Sequence, residues 1–371
     1  MHDHKGVARP LVEVKDLQVH FHLVEGVVRA VDGMNFEIHP GRTLGVIGES
    51  GSGKSVSAQS ILGIVPSPPA KLVGGEILLN IEDQETGTVS SVDLTKLPKT
   101  GTEYRGIRGR DIGMIFQEPM TSFSPVHTIG NQIMESLLLH TDLDKKGARE
   151  RAAALLGHVG IPNPHRNVDA YPHEFSGGMR QRAMIAMALA CQPRLLIADE
   201  PTTALDVTIE AQILNLIQEL QQELHMAILY ISHDLAVVGG FADEIMVMYM
   251  GMVMEYASAD DIFDDPKHPY TQALWRSIPR IDGPLEALVP ITGNVPSPFA
   301  VQRGCPFYSR CPQRIAGVCD ESRPPEVEVG PNHTARCFLY SEDHQAESGG
   351  ATTNAADRNQ SLAGEGGPER P

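Results

Sequence analysis

The sequence has no excess of basic residues. Across 371 residues, Lys and Arg together number 30 against 47 Asp and Glu, which gives a formal net charge of −17 at pH 7. Such a chain has no general electrostatic attraction to a polyanion, so a nucleic-acid partner is disfavoured, although a local basic patch would escape this count. The longest apolar runs are also well short of the roughly 18 to 20 residues that a membrane-spanning helix needs.

A second absence concerns the cell compartment. Residues 1–10 are polar and charged and contain no apolar h-region, so no secretory signal is evident. We therefore expect the chain to remain in the cytosol, where its five cysteines stay reduced unless a metal holds them. With 41% hydrophobic residues, the chain is long enough for one large or two smaller domains with a buried core.

The most informative stretch is the glycine-rich segment 48–55, Gly-Glu-Ser-Gly-Ser-Gly-Lys-Ser. It fits G-x-x-x-x-G-K-[ST], an apolar run of strand length precedes it, and residues 55–64 can form a helix, which is the context that this motif requires. Backbone N–H groups of the loop and the helix N-terminus then cradle a polyphosphate. Lys54 is expected at the β and γ phosphates and Ser55 on Mg²⁺. A glycine-rich turn of coincidental sequence is the alternative.

Near the start of the chain, two loosely alternating stretches, 11–21 and 27–38, predict strands of an antiparallel sheet. Phe21 is the aromatic residue nearest the place where an adenine ring could stack. An ordinary core position in an edge strand is an equally good interpretation of this residue.

Polar residues follow further short apolar strands. Gln117 comes after the strand 111–116, at a position from which its amide can reach a metal-bound water or a γ-phosphate, although glutamines at strand ends are mostly just solvated. Asp199 and Glu200 end the apolar run 194–198. Asp199 is placed to hold Mg²⁺ through water and Glu200 to polarise an attacking water. A solvated loop start is the alternative for these two carboxylates.

His233 follows the buried strand 227–232 and would by itself be a structural histidine. Beside the other polar strand ends it is predicted to contact the γ-phosphate. Ser176 and the two glycines after it open a long helix through Ala190, and N-cap chemistry with exposed N–H groups makes this a second anion site. Because the chain has one phosphate loop, the second site suggests the nucleotide of a partner chain. Apolar periodicity predicts other helices at 128–140, 145–159 and 207–225.

Past Ala257 the chain is rich in proline and contains four of the five cysteines, Cys305, Cys311, Cys319 and Cys337. Closely spaced thiols in a cytosolic protein favour a metal or an iron–sulfur cluster over disulfides. The lack of a C-x-x-C pair counts against structural zinc. Residues 341–371 are nearly devoid of apolar side chains and are expected to be disordered.

Together these residues resemble the ATP-binding subunit of an ABC transporter over residues 11–340. The matching motifs, in chain order, are Walker A (48–55), the Q-loop (Gln117), the signature (Ser176 to Met179), Walker B (195–200), the D-loop (204–206) and the switch histidine (His233). Met179 replaces the glutamine of the common LSGGQ form and Phe175 its leucine, but FSGGMRQR resembles the peptide-transport branch.

Other stretches are similar to oligopeptide and dipeptide importers, in particular to their D-type ATPase subunit. They are the Q-loop region 116–130, the His268-Pro269-Tyr270 motif, and the cysteine segment around residues 304–312. In some members four cysteines hold a [4Fe–4S] cluster, and Cys305, Cys311, Cys319 and Cys337 are the matching positions. Zinc is the alternative occupant.

The resemblance implies an α/β P-loop NTPase with a RecA-like core, an antiparallel β subdomain and a helical subdomain around residues 120–180. The expected boundaries are a flexible N-terminus (1–10), the ABC ATPase domain (11–257), a C-terminal extension carrying a cysteine-ligated cluster (258–340), and the tail (341–371). It also implies that two such subunits close head to tail around two ATP molecules and drive two membrane permeases, with hydrolysis resetting the dimer.

The resemblance assigns roles to individual residues. The catalytic set is Glu200, His233, Lys54 and Gln117, and the Mg²⁺ set is Ser55, Gln117 and Asp199. The nucleotide-binding set is Phe21, Gly48, Ser50, Gly51, Ser52, Gly53, Lys54, Ser55, Val56, Gln117, Ser176, Gly177, Gly178, Met179, Asp199, Asp206 and His233.

The implied partners are two permease subunits, a second ATPase subunit (a related F-type chain or a second copy) and an extracytoplasmic substrate-binding protein. The implied location is the cytoplasmic face of a bacterial or archaeal membrane. The transported solute stays open, because relatives of this branch also move nickel complexes, glycopeptides or sugars. A soluble ABC ATPase acting on DNA or ribosomes is disfavoured, since no tandem ATPase unit, coiled coil or basic face is evident.

Overall fold

The computed structural model describes residues 9–82, 86, 88–118, 122–203, 206–277, 291–299 and 303–341. Three predictions concern residues that lie wholly or mostly outside this range. They are the flexible N-terminus (1–10), the disordered tail (341–371) and the first two residues of the D-loop (204 and 205). The strands are β1 (Val12–Leu23), β2 (Gly26–Ile38), β3 (Thr43–Ile47), β4 (Ala70–Glu82), β5 (Val89–Asp93), β6 (Ile112–Ile115), β7 (Leu195–Asp199), β8 (Ala227–Ile231), β9 (Glu244–Tyr249), β10 (Met252–Ser258), β11 (Glu326–Gly330) and β12 (His333–Arg336).

The α-helices of the described residues follow the same chain order. They are α1 (Lys54–Ile61), α2 (Thr102–Ile107), α3 (Ile129–His140), α4 (Lys145–His158), α5 (Pro164–Asn167), α6 (Gly177–Ala188), α7 (Val207–Leu224), α8 (Leu235–Gly239), α9 (Ala259–Asp264) and α10 (Pro269–Arg276). The predicted helices 128–140, 145–159 and 207–225 are thus confirmed to within a residue or two. None of the helices described here has the length and apolar character to cross a membrane.

The strands form two sheets. One is a four-stranded antiparallel sheet of order β2-β1-β4-β5, which confirms the antiparallel pair predicted near the start of the chain. The other has the order β11-β12-β10-β9-β3-β8-β7-β6, and its β9, β3, β8, β7 and β6 run parallel. Every residue of β3, β7 and β8 is buried, as expected of parallel strands covered on both faces.

Helices α3 to α6 form a layer in which α3, α4 and α6 begin at side-chain caps. Thr128 accepts a hydrogen bond from the N–H of Asn131, and Asp144 accepts one from the N–H of Gly147. These caps satisfy N–H groups that a helix leaves without partners. The apolar faces of α3 and α4 join the same core cluster as α6 and the strand β7, so the helical layer is packed onto the parallel sheet.

The C-terminal segment joins the parallel sheet directly. Strand β12 pairs antiparallel with β10, with Glu255 opposite Ala335 and Tyr256 opposite Thr334, and β11 pairs with β12. Extension of the sheet by this hairpin was not anticipated, because residues 258–340 showed few long periodic segments. Phe307 and Tyr270 of the same region are fully buried in the larger core cluster.

Candidate nucleotide-binding site

Four neighbouring strands bring the predicted site residues to one edge of the parallel sheet. In the order β3-β8-β7-β6, the Walker A loop (residues 48–55) follows β3, His233 follows β8, Asp199 and Glu200 end β7, and Gln117 follows β6. The carboxyl ends of parallel strands lie at the same edge, where open α/β sheets bind ligands. The sheet order therefore gathers residues that are far apart in the sequence.

The Walker A loop has a backbone that only glycine allows at two positions. Gly48 has φ +153°, and a Cβ there would lie 2.2 Å from the carbonyl oxygen of Met248. Gly53 has φ +102°, and a Cβ there would lie 2.1 Å from the carbonyl oxygen of Ala30. Helix α1 begins directly after Gly53, and the first N–H groups of a helix have no intrahelical acceptor. They are available to an anion.

Lys54 is folded over the loop. It is 5% exposed, and its Nζ donates to the carbonyl oxygens of Gly48 at 2.7 Å and Glu49 at 3.2 Å. Burial lowers the pKa of Lys54, while the negative charges of nearby carboxylates act in the opposite direction. The hydroxyl of Ser52 in the same loop is buried and lacks a hydrogen-bond partner among the described residues. A polyphosphate in the loop fits both observations, since it accepts from an ammonium and from a hydroxyl.

Ser55 and Asp199 meet at the start of α1. The Ser55 hydroxyl donates to Oδ1 of Asp199 at 2.8 Å, although the two residues are 144 positions apart. Burial raises the pKa of the Asp199 carboxyl; the hydrogen bond from Ser55 lowers it and the charge of Glu200 adds to the rise. A hydroxyl and a buried carboxylate beside a phosphate-binding loop are the ligand types that Mg²⁺ takes in such sites.

Glu200 is the meeting point of three other side chains. Its Oε2 accepts from Nε2 of Gln117 at 2.9 Å and from the hydroxyl of Thr203 at 2.9 Å, and it lies 3.4 Å from Nδ1 of His233. Glu200 has φ +46°, an uncommon conformation for a residue other than glycine that turns the chain sharply after β7. The Glu200 side chain is 16% exposed and that of His233 is 65% exposed, so the group opens to solvent.

The signature segment has exposed residues at the start of α6 and buried or half-buried residues on either side of them. Ser176 caps α6 by accepting from the N–H of Met179 at 3.3 Å, and Ser176 and Gly177 are exposed. Phe175 is buried and Met179 packs against the core. A side-chain amide of α6, from Gln181, donates to the carbonyl oxygen of Pro201 immediately after Glu200. The signature helix is therefore tied to the strand end that holds the carboxylates.

The remaining predicted nucleotide residues lie on three separate parts of the fold: strand β1, the start of α7 and the Walker A loop. Phe21 is half-buried in β1, opposite Val28, and packs against the second core cluster together with Val56 of α1. Asp206 is the N-cap of α7 and accepts from the N–H of Ile209 at 3.0 Å. Ser50 and Gly51 are at the tip of the loop, where a Cβ on Gly51 would have open space around it.

Comparison with known proteins decides the family. A sequence profile described as "ABC transporter" matches residues 31–203, and one described as "Oligopeptide/dipeptide transporter, C-terminal region" matches residues 254–319. The dipeptide transport ATP-binding protein DppD of Bacillus subtilis is 46% identical over 337 residues, 91% of this chain and 96% of its own length. The chain belongs to the ABC transporter family, in its oligopeptide and dipeptide branch.

Further relatives agree with this membership. The oligopeptide transport ATP-binding protein AppD of Bacillus subtilis is 48% identical over 91% of this chain and 99% of its own length. OppD of Escherichia coli, also named as an oligopeptide transport ATP-binding protein, is 44% identical over 89% and 94%. Among solved structures, a dimeric ATP-binding cassette in a post-hydrolysis state, bound to ADP and Pi, has a TM-score of 0.57 with 26% identity, covering 67% of this chain and 98% of that one.

The four C-terminal cysteines of this ABC protein line one small pocket together with His268 and Phe307. Its cavity measures about 10 Å³, which is room for about one water molecule. Among the described residues, no three His, Cys, Asp or Glu side chains are arranged so that they could hold a metal ion. The predicted cysteine-ligated cluster is therefore not supported by this arrangement, although the thiols that it requires are gathered in one place.

Burial determines the protonation of two of these thiols. Burial raises the pKa of Cys305 to about 12 and that of Cys337 to about 11, so without a metal both are neutral at pH 7. Metal ligation by cysteine requires the thiolate and releases the proton. Cys191 lies elsewhere, in contact with the carbonyl oxygen of Ser136. It is half-buried and does not line the pocket.

Four residues at the site, Glu49, Thr203, Tyr270 and Arg310, have contacts that the sequence pattern did not predict. Glu49 of the Walker A loop is bound by Arg310 and Tyr270 of the C-terminal region, and Thr203 donates to Glu200. Tyr270 belongs to the His-Pro-Tyr motif that indicated the branch, but nothing in that motif names its partner. Only the proximity of Thr203 to Glu200 in the sequence offered a signal.

Proposed function

We propose that this chain is the ATP-binding and hydrolysing subunit that powers a membrane importer of dipeptides or oligopeptides. The observation that carries the proposal is the convergence of the Walker A loop, Asp199, Glu200, Gln117 and His233 at one sheet edge. Their order and chemistry suit hydrolysis of a nucleoside triphosphate. Supporting evidence for peptide transport is the set of relatives at 44–48% identity, which are named as dipeptide or oligopeptide transport proteins.

In this proposal each residue has a defined task. The first N–H groups of α1 and the ammonium of Lys54 bind the β and γ phosphates of ATP, since both are donors to anions. Ser55, Asp199 and Gln117 would hold Mg²⁺, which neutralises phosphate charge when bound. Glu200 accepts a hydrogen bond from the attacking water and orients it, and His233 and Gln117 contact the γ-phosphate region.

The site is completed by a second ATPase subunit. The exposed Ser176 and Gly177 and the half-buried Gly178, together with Met179 and Asp206, would face the nucleotide bound by the partner subunit. The signature of the partner would face the nucleotide of this chain. A dimer that closes around ATP and opens after hydrolysis would move two permeases. The second subunit is a related F-type chain or another copy of this chain, and an extracytoplasmic binding protein delivers the peptide.

This function places the chain at the cytoplasmic face of a bacterial membrane, as a peripheral subunit. The relatives named above are bacterial and concern peptides. We therefore favour peptide import in a bacterium over an archaeal source, over nickel complexes as cargo, and over a role outside transport.

The function is tested by peptide uptake in cells. Deletion of the gene for this chain should abolish uptake of a labelled tripeptide and leave uptake of a labelled free amino acid unchanged. Wild-type chain and Lys71→Ala, which alters an exposed lysine of β4, should restore uptake, whereas Lys54→Ala should not. Peptide uptake that survives the deletion, with loss of nickel uptake instead, would identify the other cargo.

We also propose that Cys305, Cys311, Cys319 and Cys337 hold a [4Fe–4S] cluster, with zinc as the alternative. The support is that the four thiols share one pocket and that soft thiolates suit iron–sulfur clusters and zinc. The cavity that the thiols line now measures about 10 Å³, so it must expand to hold the cluster. Anaerobic iron, sulfide and zinc analysis of the purified full chain is decisive: about four iron and four sulfide per chain are expected, and zinc without sulfide would replace the cluster by a structural metal.

A further inference from the structure

Glu49, the second residue of the Walker A loop, is held by an arginine from the C-terminal region. Nη1 of Arg310 donates to Oε2 of Glu49 at 2.6 Å, and Nη2 donates to Oε1 at 2.9 Å. The pair bridges 261 positions of sequence. The Arg310 side chain is 4% exposed and that of Glu49 is 27% exposed. Two parallel charge-assisted hydrogen bonds of this kind fix the orientation of the carboxylate and also make the ion pair stronger.

A second contact holds the backbone of the same residue. The N–H of Glu49 donates to the hydroxyl oxygen of Tyr270 at 3.0 Å, and Tyr270 is fully buried. The N–H of Glu49 therefore already has an acceptor, unlike the first N–H groups of α1, which have none within the helix. The C-terminal region thus contacts the loop through both the side chain and the backbone of one residue.

Arg310 is itself fixed by its surroundings. Its Nη1 also donates to the hydroxyl of Tyr249 at 3.2 Å, and its Nε donates to the carbonyl oxygen of Thr292 at 3.3 Å. Its guanidinium lies near the rings of Tyr249 and Phe307, at 5.8 Å and 5.9 Å from their centroids. Because these contacts fix the guanidinium, the carboxylate of Glu49 that is bound to it has little freedom to rotate.

The position of Glu49 gives this contact a consequence for the binding of a polyanion. The carboxylate belongs to the loop that receives the phosphates, beside Lys54, whose Nζ already donates to the Glu49 carbonyl oxygen. Without the guanidinium, a full negative charge would lie uncompensated next to ATP phosphates in a partly buried place, where charges are weakly screened. With the guanidinium, the pair is neutral.

We propose that Arg310 and Tyr270 are positioning residues for ATP binding, which neutralise Glu49 and fix the Walker A loop from the C-terminal region. The inference rests on the proposed ATPase function of that loop. Arg310 directly precedes Cys311, and Phe307 comes two residues after Cys305. The segment that carries the cysteines is therefore also the segment that holds the phosphate loop, which gives the C-terminal region a direct influence on ATP affinity.

The test measures the affinity of the purified full chain for a fluorescent ATP analogue. Arg310→Ala should raise the dissociation constant about tenfold or more, because it removes a charge-assisted pair and leaves the carboxylate uncompensated. Arg336→Ala is the matched control, since Arg336 pairs with Glu326 in the β11–β12 hairpin and should stay within about twofold of wild type. Tyr270→Phe removes one hydrogen bond without changing charge, so a smaller loss is expected.

Two variants that remove the charge of Glu49 distinguish a positioning role of Arg310 from a general structural role. Glu49→Gln should bind the analogue at least as tightly as wild type, and Glu49→Gln combined with Arg310→Ala should regain most of the affinity that Arg310→Ala loses. A merely structural role for Arg310 predicts no such rescue. Should Arg310→Ala fail to fold, Arg310→Lys with and without Glu49→Gln makes the same comparison.

Each result decides between two statements. The inference is overturned if Arg310→Ala binds the analogue with unchanged affinity, or if the double variant binds it as weakly as Arg310→Ala alone. In either case, binding by the wild-type chain leaves the ATPase proposal intact. A wild-type chain that does not bind the analogue instead removes the ATPase proposal, and the inference falls with it. Metal content and thermal midpoint, measured on every variant, show that the cysteine segment is intact.

Discussion

The role proposed for Glu200 predicts a specific phenotype for Glu200→Gln. The substitution keeps an oxygen that can accept from Gln117 and Thr203, which now donate at 2.9 Å each. We therefore expect the free energy of unfolding to change by less than about 1 kcal/mol. The carboxylate that would accept a proton or orient water is lost, however, because an amide is not a base at neutral pH.

The magnitude follows from the chemistry that is removed. A positioned general base contributes about 10²- to 10⁴-fold to a rate, which is about 3 to 5 kcal/mol of the activation barrier. Turnover of ATP should fall by that factor, whereas affinity for ATP should persist, because the phosphate contacts proposed for Lys54 and the Walker A loop do not involve Glu200. An ATP-bound closed dimer should consequently accumulate.

The assay is phosphate release by the full chain with Mg-ATP, beside analogue binding and size-exclusion chromatography with ATP. Glu210→Gln is the matched control, because Glu210 lies near the same strand end and accepts from the hydroxyl of Thr202 at 2.7 Å without belonging to the proposed catalytic group. Glu200→Gln with wild-type turnover, in preparations free of contaminating ATPases, would refute the assignment.

Two other predictions follow from local geometry. Gly48→Ala should abolish ATP binding, because its Cβ would lie 2.2 Å from the carbonyl oxygen of Met248 and the loop must move; nucleotide titration measures this. Glu255→Ala should lower the free energy of unfolding by about 3 to 5 kcal/mol, since Glu255 is 1% exposed and accepts from the N–H of Lys267, the N–H of His268 and Nε2 of His333; denaturant unfolding measures that.

Each of these two variants, Gly48→Ala and Glu255→Ala, has a matched control. Gly41→Ala also alters a glycine with positive φ, +69°, but a Cβ there meets no atom within 4 Å, so ATP binding should be retained. Glu326→Ala removes an ion-pair partner that is 40% exposed and should cost less than about 1 kcal/mol. ATP binding by Gly48→Ala, or equal unfolding free energies for Glu255→Ala and Glu326→Ala, would contradict the respective argument.

The candidate nucleotide-binding site at the sheet edge could be predicted because the sequence patterns that indicate it are local. Each of Gln117, Asp199, Glu200 and His233 directly follows an apolar run of strand length, and the Walker A loop carries its own spacing of glycine, lysine and serine. Strand ends of a parallel sheet meet at one edge, so their neighbourhood could be inferred before any distance was known. The distances that join Ser55 to Asp199 and Gln117 to Glu200 came only from the structure.

The C-terminal region was less accessible to sequence reasoning. The strand β12 is four residues long and pairs with β10 through two residues, too little for a periodic signal. The cysteine pattern predicted a shared site, and the four thiols do line one pocket, but spacing along the chain specifies neither the shape of that pocket nor its occupant.

The sequence by itself determined the family, the phosphate loop and the identity of the polar residues at the strand ends, because these depend on short-range patterns of apolar, glycine and polar residues. Tertiary structure alone decided which groups touch. Arg310 reaches Glu49 across 261 positions, and Tyr270 receives the N–H of the same residue, because the extended sheet and the buried aromatic residues bring the C-terminal region against the Walker A loop. Contacts of that range are set by packing of the whole chain, which no local pattern encodes.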